Sequence, residues 1–199
     1  MKQKKTPTLK VALLAGAGLS VLICLFVLFF SKTPEETGKE IQENFLNLEK
    51  RASQEAQKHI EQKPQAAIQK GDRTIFIHQY ENDSLTFWNT NKMPVPRLAT
   101  LGFPSSGVVH LKNGWYYCVE KKKGNKTTVA SFLIKQRYPY ENEYLSNKVN
   151  PTLSNKNFSL SLDEQEGQKV FNASKNYCFS YLLKGEKKKK TNVYVLFFA

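Results

Sequence analysis

The first pattern along the chain is an unbroken apolar stretch, Val11–Phe30, which contains no charged residue and no Pro, Asn or Gln. A helix of this length, at ~1.5 Å per residue, reaches about 30 Å, the thickness of a bilayer's hydrocarbon core. The pattern predicts a transmembrane helix over residues 11–31. No small-x-small cleavage site follows Phe30, so we expect an uncleaved anchor rather than a signal peptide. Four lysines and no acidic residue precede the stretch, at Lys2, Lys4, Lys5 and Lys10.

The lysines in residues 1–10 predict a cytoplasmic basic tail, with the remainder of the chain carried across the membrane. We therefore expect a single-pass protein of the cell inner membrane, with its main domain in the periplasm and the lipid bilayer as one partner.

Helical spacing of apolar residues begins after Thr33, where Thr33, Pro34 and Glu36 suit a capped helix start. The pattern predicts a juxtamembrane amphipathic helix over residues 33–63 that continues from the transmembrane helix. Its apolar face is either the seam of a parallel homodimer or a face packed on its own domain, and continuity with an anchor favours the seam. The face consists of Ile41, Phe45, Leu48, Ala52, Ala56 and Ile60, of which the first four are the seam candidates.

The period then changes to two, which is typical of strands. Asn113-Gly114 is a strong hairpin signal, and it predicts that Leu111 pairs with Tyr116 and Val109 with Cys118. A short helix is expected at Pro139–Asn147. The predicted strands are Arg73–Tyr80, Asp83–Asn89, Gly107–Leu111, Trp115–Glu120 and Thr127–Lys135, with further candidates at Phe158–Leu162, Lys169–Asn172 and Tyr177–Leu183.

This element order predicts an α+β fold. We expect an N-terminal transmembrane helix continuing into a long amphipathic helix, then a PAS-like antiparallel sheet domain over residues 72–185. Its five strands would lie in the order 2-1-5-4-3. Residues 186–199 read as a linker and an apolar end, which is either a final strand or, as we favour, the start of a second transmembrane helix.

Charge and cysteine content add little. The formal net charge is +13, and much of it lies in two lysine runs, Lys121–Lys123 and Lys187–Lys190. We interpret these runs as a solvated loop and a solvated linker, and we expect no nucleic-acid partner because no stacking aromatic residues alternate with the lysines. Cys118 and Cys178 would meet an oxidising compartment, where a disulfide is one possibility, but two small buried thiols are the preferred interpretation.

Three segments together resemble the periplasmic sensor region of Bacteroidetes-type membrane histidine kinases: residues 83–88 (DSLTFW), 113–117 (NGWYY) and Phe132–Val149. The resemblance covers most of residues 1–185, and Leu133–Leu145 is its most specific part. It implies the sensor module of a two-component kinase. The chain departs from that family in having no phosphoacceptor-histidine helix and no glycine-rich ATP-binding motif, so the resemblance implies the input half and no kinase activity.

No catalytic or cofactor-binding pattern appears, and we expect no enzyme activity and no cofactor. His78 and His110 lie on predicted strands without a third ligand, so we expect no metal site. Aromatic side chains remain as candidates for a ligand pocket, although core packing is the commoner role of such residues. The ligand-binding candidates are Trp88, Trp115, Tyr117, Tyr138 and Tyr140.

Two functions follow. The first is the membrane-anchored extracytoplasmic sensor module of a two-component histidine kinase, truncated before the kinase core, which acts as a homodimer on an unknown stimulus. The second is a bitopic membrane protein whose periplasmic domain binds a partner or ligand without signalling output.

Overall fold

A computed structural model of the chain describes residues 19–20, 33–61, 74–96 and 105–183. The chain divides into two compact units, Met1–Thr37 and Gly38–Ala199. The predicted basic tail at residues 1–10, the predicted transmembrane helix apart from Leu19 and Ser20, and the predicted end segment 186–199 lie outside the described residues.

One long helix, α1, runs from Pro34 to Glu61. Its start is a capping box, as predicted. The N–H of Thr33 donates to Glu36 Oε2 at 2.9 Å, and the N–H of Glu36 donates to Thr33 Oγ1 at 3.2 Å. These two bonds satisfy backbone donors that have no partner within the helix, so α1 begins at Pro34. The predicted fold in which a transmembrane helix continues into this amphipathic helix is wrong, since the described residues contain no such transmembrane helix.

Eight strands form two antiparallel sheets. The first sheet has five strands in the order β2-β1-β5-β4-β3, which is the order predicted from the sequence, and the second has three in the order β6-β8-β7. The strands are β1 Phe76–Glu81, β2 Ser84–Trp88, β3 Ser106–Leu111, β4 Gly114–Lys123, β5 Lys126–Gln136, β6 Phe158–Ser161, β7 Gln168–Phe171 and β8 Tyr177–Leu183.

The predicted fold class is wrong as a whole. The described chain has one helix and two antiparallel sheets, where we expected a transmembrane helix leading into one PAS-like sheet domain. No helix in the described ranges has both the length and the apolar character needed to cross a bilayer.

The apolar face of α1 packs on one face of the five-stranded sheet. Ile41, Phe45 and Leu48 are fully buried there. The ring of Phe45 makes edge-on contacts with Tyr117 and Phe132, at centroid distances of 4.9 and 5.5 Å. A separate apolar cluster covers the opposite face of the sheet and contains Phe76, Tyr80, Met93, Tyr116, Cys118 and Val129.

The β3–β4 hairpin has a different register from the predicted one. Leu111 pairs with Gly114 and Val109 with Tyr116, so the turn consists of Lys112 and Asn113. Gly114 lies inside β4, where a Cβ atom would come within 2.6 Å of the Lys135 carbonyl oxygen. The glycine is thus needed for the close approach of β5, not for the turn. The shift of two residues leaves each side chain on its predicted face.

The predicted helix at Pro139–Asn147 is also wrong, because this segment is an irregular loop. The side chain of Asn142 accepts hydrogen bonds from the N–H groups of Tyr144 and Leu145, at 2.9 and 2.8 Å. Such side-chain bonds compete with the helical backbone pattern.

Cys118 and Cys178 are both buried free thiols, which confirms the preferred interpretation. They belong to apolar clusters on opposite faces of the five-stranded sheet, so the sheet itself separates them. Burial raises the pKa of the Cys118 thiol to about 12, and the Ser131 hydroxyl donates to its sulfur at 3.2 Å. Both observations fit a structural thiol rather than a reactive one.

Candidate ligand-binding cleft

A cleft of about 720 Å³ lies where α1, the first sheet and the loop between β7 and β8 meet. Its volume is within the range of small-molecule sites. One wall is the middle of α1, the second is the start of β3 with the facing part of β4, and the third is the β7–β8 loop. The lining residues are Leu46, Asn47, Glu49, Lys50, Ser53, Gln54, Ser105, Ser106, Val119, Glu120, Lys121, Ala173 and Ser174.

Glu49 holds the three walls together. Its Oε1 accepts a hydrogen bond from the Tyr117 hydroxyl at 2.8 Å, and its Oε2 accepts one from the N–H of Ala173 at 2.8 Å. A single carboxylate of α1 therefore binds both β4 and the β7–β8 loop. Hydrogen bonds to a charged acceptor are stronger than neutral ones, so Glu49 fixes the shape of the cleft.

The other carboxylate of the lining is also occupied. Glu120 is 8% exposed, and its Oε1 lies 3.0 Å from Lys122 Nζ. By contrast, Lys50 and Lys121 line the cleft and have no acidic partner among the described side chains. The neutral groups that donate to Glu49 do not offset its charge, whereas Lys122 offsets the charge of Glu120. With Lys50 and Lys121 in the lining, a ligand therefore meets a small excess of positive charge.

Most of the remaining lining residues carry a hydroxyl or amide group, and the other three, Leu46, Val119 and Ala173, are apolar. Such a lining offers a ligand hydrogen-bonding groups as well as apolar surface. The polar members are Asn47, Ser53, Gln54, Ser105, Ser106 and Ser174.

Of the five aromatic residues predicted to bind a ligand, only Tyr117 contacts a residue of this cleft. Its ring is fully buried beneath the lining, and its hydroxyl donates to Glu49. Burial raises the pKa of Tyr117, and the neighbouring Glu49 adds to that effect. Tyr117 thus supports the cleft from below and stays protonated.

The other four predicted aromatic residues do not line the cleft. Trp88 is 49% exposed at the edge of the sheet, and Trp115 stacks on His110 at 4.3 Å between ring centroids. Pairing through β1 places Trp88 level with Val129 of β5, whereas Trp115 is level with Lys135. Six residues of strand correspond to about 20 Å, so the two indoles cannot share one ligand.

Tyr138 and Tyr140 lie in the loop that follows β5. Tyr138 is half-buried and donates its N–H to Asn147 Oδ1 at 2.7 Å, whereas Tyr140 is 83% exposed. The structure therefore distributes the predicted aromatic residues over four separate places.

The four residues predicted as a dimer seam are fully buried by the chain's own side chains. This is the alternative that the sequence left open, a helix face packed on its own domain. A homodimer remains a prediction, and it requires another surface because Ile41, Phe45, Leu48 and Ala52 are covered within one chain.

A smaller cavity of about 140 Å³ lies at the end of α1, with His59, Gln79 and Thr128 in its lining. The Gln79 amide donates to the His59 carbonyl oxygen at 2.6 Å, which joins the helix end to β1. Burial lowers the pKa of His59, and Glu55, whose carboxylate lies 3.6 Å from the imidazole, acts in the opposite direction.

His78 and His110 are not neighbours, because β5 and β4 lie between β1 and β3 in the sheet. Within the described segments, no three His, Cys, Asp or Glu side chains are close enough to hold a metal ion.

Sequence reasoning missed the cleft because its lining comes from four separated stretches of the chain. One signal was available. Asn47, Lys50 and Gln54 recur at helical spacing beside the apolar face of α1, which places a polar strip next to the core-facing residues.

Comparison with protein-family models, with curated proteins and with solved structures finds no match for this chain.

Proposed function

We propose that the chain is the input module of a two-component sensor, and that it binds its stimulus, a small hydrophilic anion, in the cleft between α1, the first sheet and the β7–β8 loop. The observation that supports this proposal most directly is that α1, the first sheet and the β7–β8 loop all line the same cleft. A ligand bound there touches the helix and both sheet regions together, so it favours the arrangement in which they are close.

The charge distribution supports an anionic ligand. Lys50 and Lys121 have ammonium groups without acidic partners in the described structure, whereas Glu49 and Glu120 are engaged by the protein itself. The surrounding hydroxyl and amide groups suit a ligand with several oxygen atoms. The resemblance to histidine kinase sensor regions adds the signalling role, which the cleft alone does not provide.

A binding screen tests the cleft. Isothermal titration of the full chain with citrate, glucuronate, glucose 6-phosphate and uncharged glucose should detect binding of at least one anion and none of glucose. Exchange of Lys50→Gln together with Lys121→Gln should weaken that binding at least about tenfold, because it removes two charge-assisted hydrogen bonds. Lys148→Gln, at an exposed lysine remote from the cleft lining, is the matched control.

Equal binding by the double variant and by the control would exclude the cleft as the anion site. Binding of glucose with the same affinity as the anions would exclude the charge argument while retaining the cleft.

A binding domain without signalling output is the second candidate, and one observation favours it. The apolar stripe of α1 is buried in the core of its own chain, so α1 does not present that stripe to a second subunit as a signalling lever. The DNA sequence beyond the codon for Ala199 distinguishes the two. An in-frame kinase core supports the sensor, whereas a stop codon with no output gene nearby supports the binding domain.

A further inference from the structure

The loop after β5 exposes several large apolar side chains beside exposed acidic ones. In residues 138–147, here called the tyrosine loop, Tyr140 and Tyr144 are 83% and 84% exposed and Leu145 is 39% exposed. Three exposed large apolar side chains thus lie within six residues of one another. Exposed apolar groups that are concentrated in one place and bordered by polar residues are typical of interaction surfaces.

Polar side chains hold the tyrosine loop in one shape. Asn142 Oδ1 accepts from the N–H groups of Tyr144 and Leu145, at 2.9 and 2.8 Å. Glu141 Oε1 accepts from the N–H of Asn147 at 2.7 Å.

The base of the loop is closed by backbone pairing. The N–H of Gln136 donates to the Lys148 carbonyl oxygen at 2.8 Å, and Lys135 pairs with Val149 as an antiparallel bridge. A loop fixed in this way loses little conformational entropy when it binds, and tyrosines on such loops are typical anchors of protein interfaces.

The charge of the tyrosine loop is opposite to that of the chain. The loop contains Glu141 and Glu143 and no basic residue, whereas the whole chain has a net charge of +13. Glu143 is exposed, and no hydrogen bond or ion pair of its carboxylate occurs with the described residues. A partner surface therefore needs to be basic to complement the loop.

The chain itself supplies such a surface. Residues 122–126, here called the lysine turn, contain three lysines at the end of the β4–β5 hairpin. Only Lys122 has an acidic partner in the described structure, Glu120. Lys123 and Lys126 are exposed at the tip of the hairpin.

The lysine turn and the tyrosine loop lie at opposite ends of the same strand. β5 runs from Lys126 to Gln136, a length of about 36 Å. Two copies related by a two-fold axis, with their β5 strands antiparallel, bring each tyrosine loop to the partner's lysine turn. Both contacts then form at once and the assembly closes as a dimer.

We propose that the tyrosine loop is a homodimer interface and that it binds the lysine turn of a second copy of this chain. Tyr140 and Tyr144 supply the apolar anchors, and Glu143 pairs with the lysines of the partner copy. This interface does not depend on the cleft or on the ligand proposed for it, and it replaces the buried face of α1 as the dimer contact.

Sedimentation velocity of the full chain in a mild detergent tests the proposal. The wild-type chain should form a dimer that dissociates as salt concentration rises, since part of its attraction is between exposed charges. Combined Tyr140→Ala and Tyr144→Ala substitutions should raise the dimer dissociation constant at least about tenfold. Trp88→Ala, at an exposed aromatic residue outside the loop, is the control and should leave the constant unchanged.

A charge exchange identifies the contacting surfaces. Glu143→Lys and Lys123→Glu should each weaken the dimer by themselves, because each places like charges opposite one another. An equimolar mixture of the two variants should restore association, since in the mixed dimer both contacts pair opposite charges.

Three results would overturn the proposal. The first is a wild-type chain that stays monomeric at every concentration, which would leave the loop to a different partner. The second is a dimer that the tyrosine substitutions do not weaken. The third is failure of the mixed variants to associate while each keeps a wild-type circular dichroism spectrum.

Discussion

His78 is the residue whose environment departs most from the ordinary. Its side chain is fully buried on β1, and neither imidazole nitrogen has a hydrogen-bond partner in the described structure. Burial lowers its pKa from 6.5 to about 4. The imidazole is therefore neutral in the folded protein at neutral pH, because a charge there would be buried without a counter-ion.

This burial predicts a loss of stability in mild acid. Between about pH 6.5 and pH 4 the unfolded chain binds a proton at His78 and the folded chain does not, so the free energy of unfolding falls as pH falls. The lowered pKa of His78 corresponds to a loss of about 3 kcal/mol in the free energy of unfolding, at about 1.4 kcal/mol per pKa unit. Urea unfolding at about pH 7 and about pH 4.5 measures it.

His78→Leu should remove most of that pH dependence, because leucine fills the same apolar site without titrating. If His78→Leu leaves the pH dependence of the free energy of unfolding unchanged, other titrating groups are its cause. His59→Gln is the matched comparison, since burial lowers the pKa of His59 as well.

Gly114 gives a second prediction at the residue scale. Gly114→Ala places a methyl group 2.6 Å from the Lys135 carbonyl oxygen, so β4 and β5 have to move apart. We expect a loss of about 1–3 kcal/mol in the free energy of unfolding, which urea denaturation measures. Gly124→Asn is the control, because its site is open and asparagine tolerates the φ of +61°. Equal losses in both variants would show that close packing at Gly114 is not the cause.

At the scale of elements, the helix and the strands of both sheets were largely predictable, whereas the pairing of β6 with β8 was not. The capping box and the apolar spacing of α1 are local signals, and short turns join neighbouring strands of the first sheet. In the second sheet β8 is the middle strand, so β6 pairs with β8 although β7 comes between them in the chain. No local pattern of Phe158–Ser161 encodes that choice.

The core role of α1 is directly testable. Phe45→Ala removes a fully buried ring that contacts Tyr117, Phe132 and Phe179, and we expect a loss of about 3–5 kcal/mol in the free energy of unfolding. Glu43→Ala, on the exposed face of the same helix, should change it by less than about 0.5 kcal/mol. Chemical denaturation of both variants is the measurement. A small effect of Phe45→Ala would contradict the core role of the apolar face of α1 and would favour contact of that face with a second subunit.

At the scale of the whole molecule, the candidate site depends on distant parts of the chain meeting. The cleft draws on residues 46–54, 105–106, 119–121 and 173–174, and Glu49 joins α1 to Tyr117 of β4 and to Ala173. Periodicity predicts which face of an element is apolar, but it carries no information on which elements meet. The predicted aromatic residues lie apart for the same reason, since residue type alone grouped Trp88 with Trp115.

Hydrogen–deuterium exchange of the full chain, with and without the tightest-binding anion of the titration panel, tests the central claim most directly. We predict slower exchange in all four cleft segments at once, because one ligand holds the helix, the first sheet and the β7–β8 loop together. Protection confined to one element or to residues outside the cleft, or no change with any of the anions, would contradict the account.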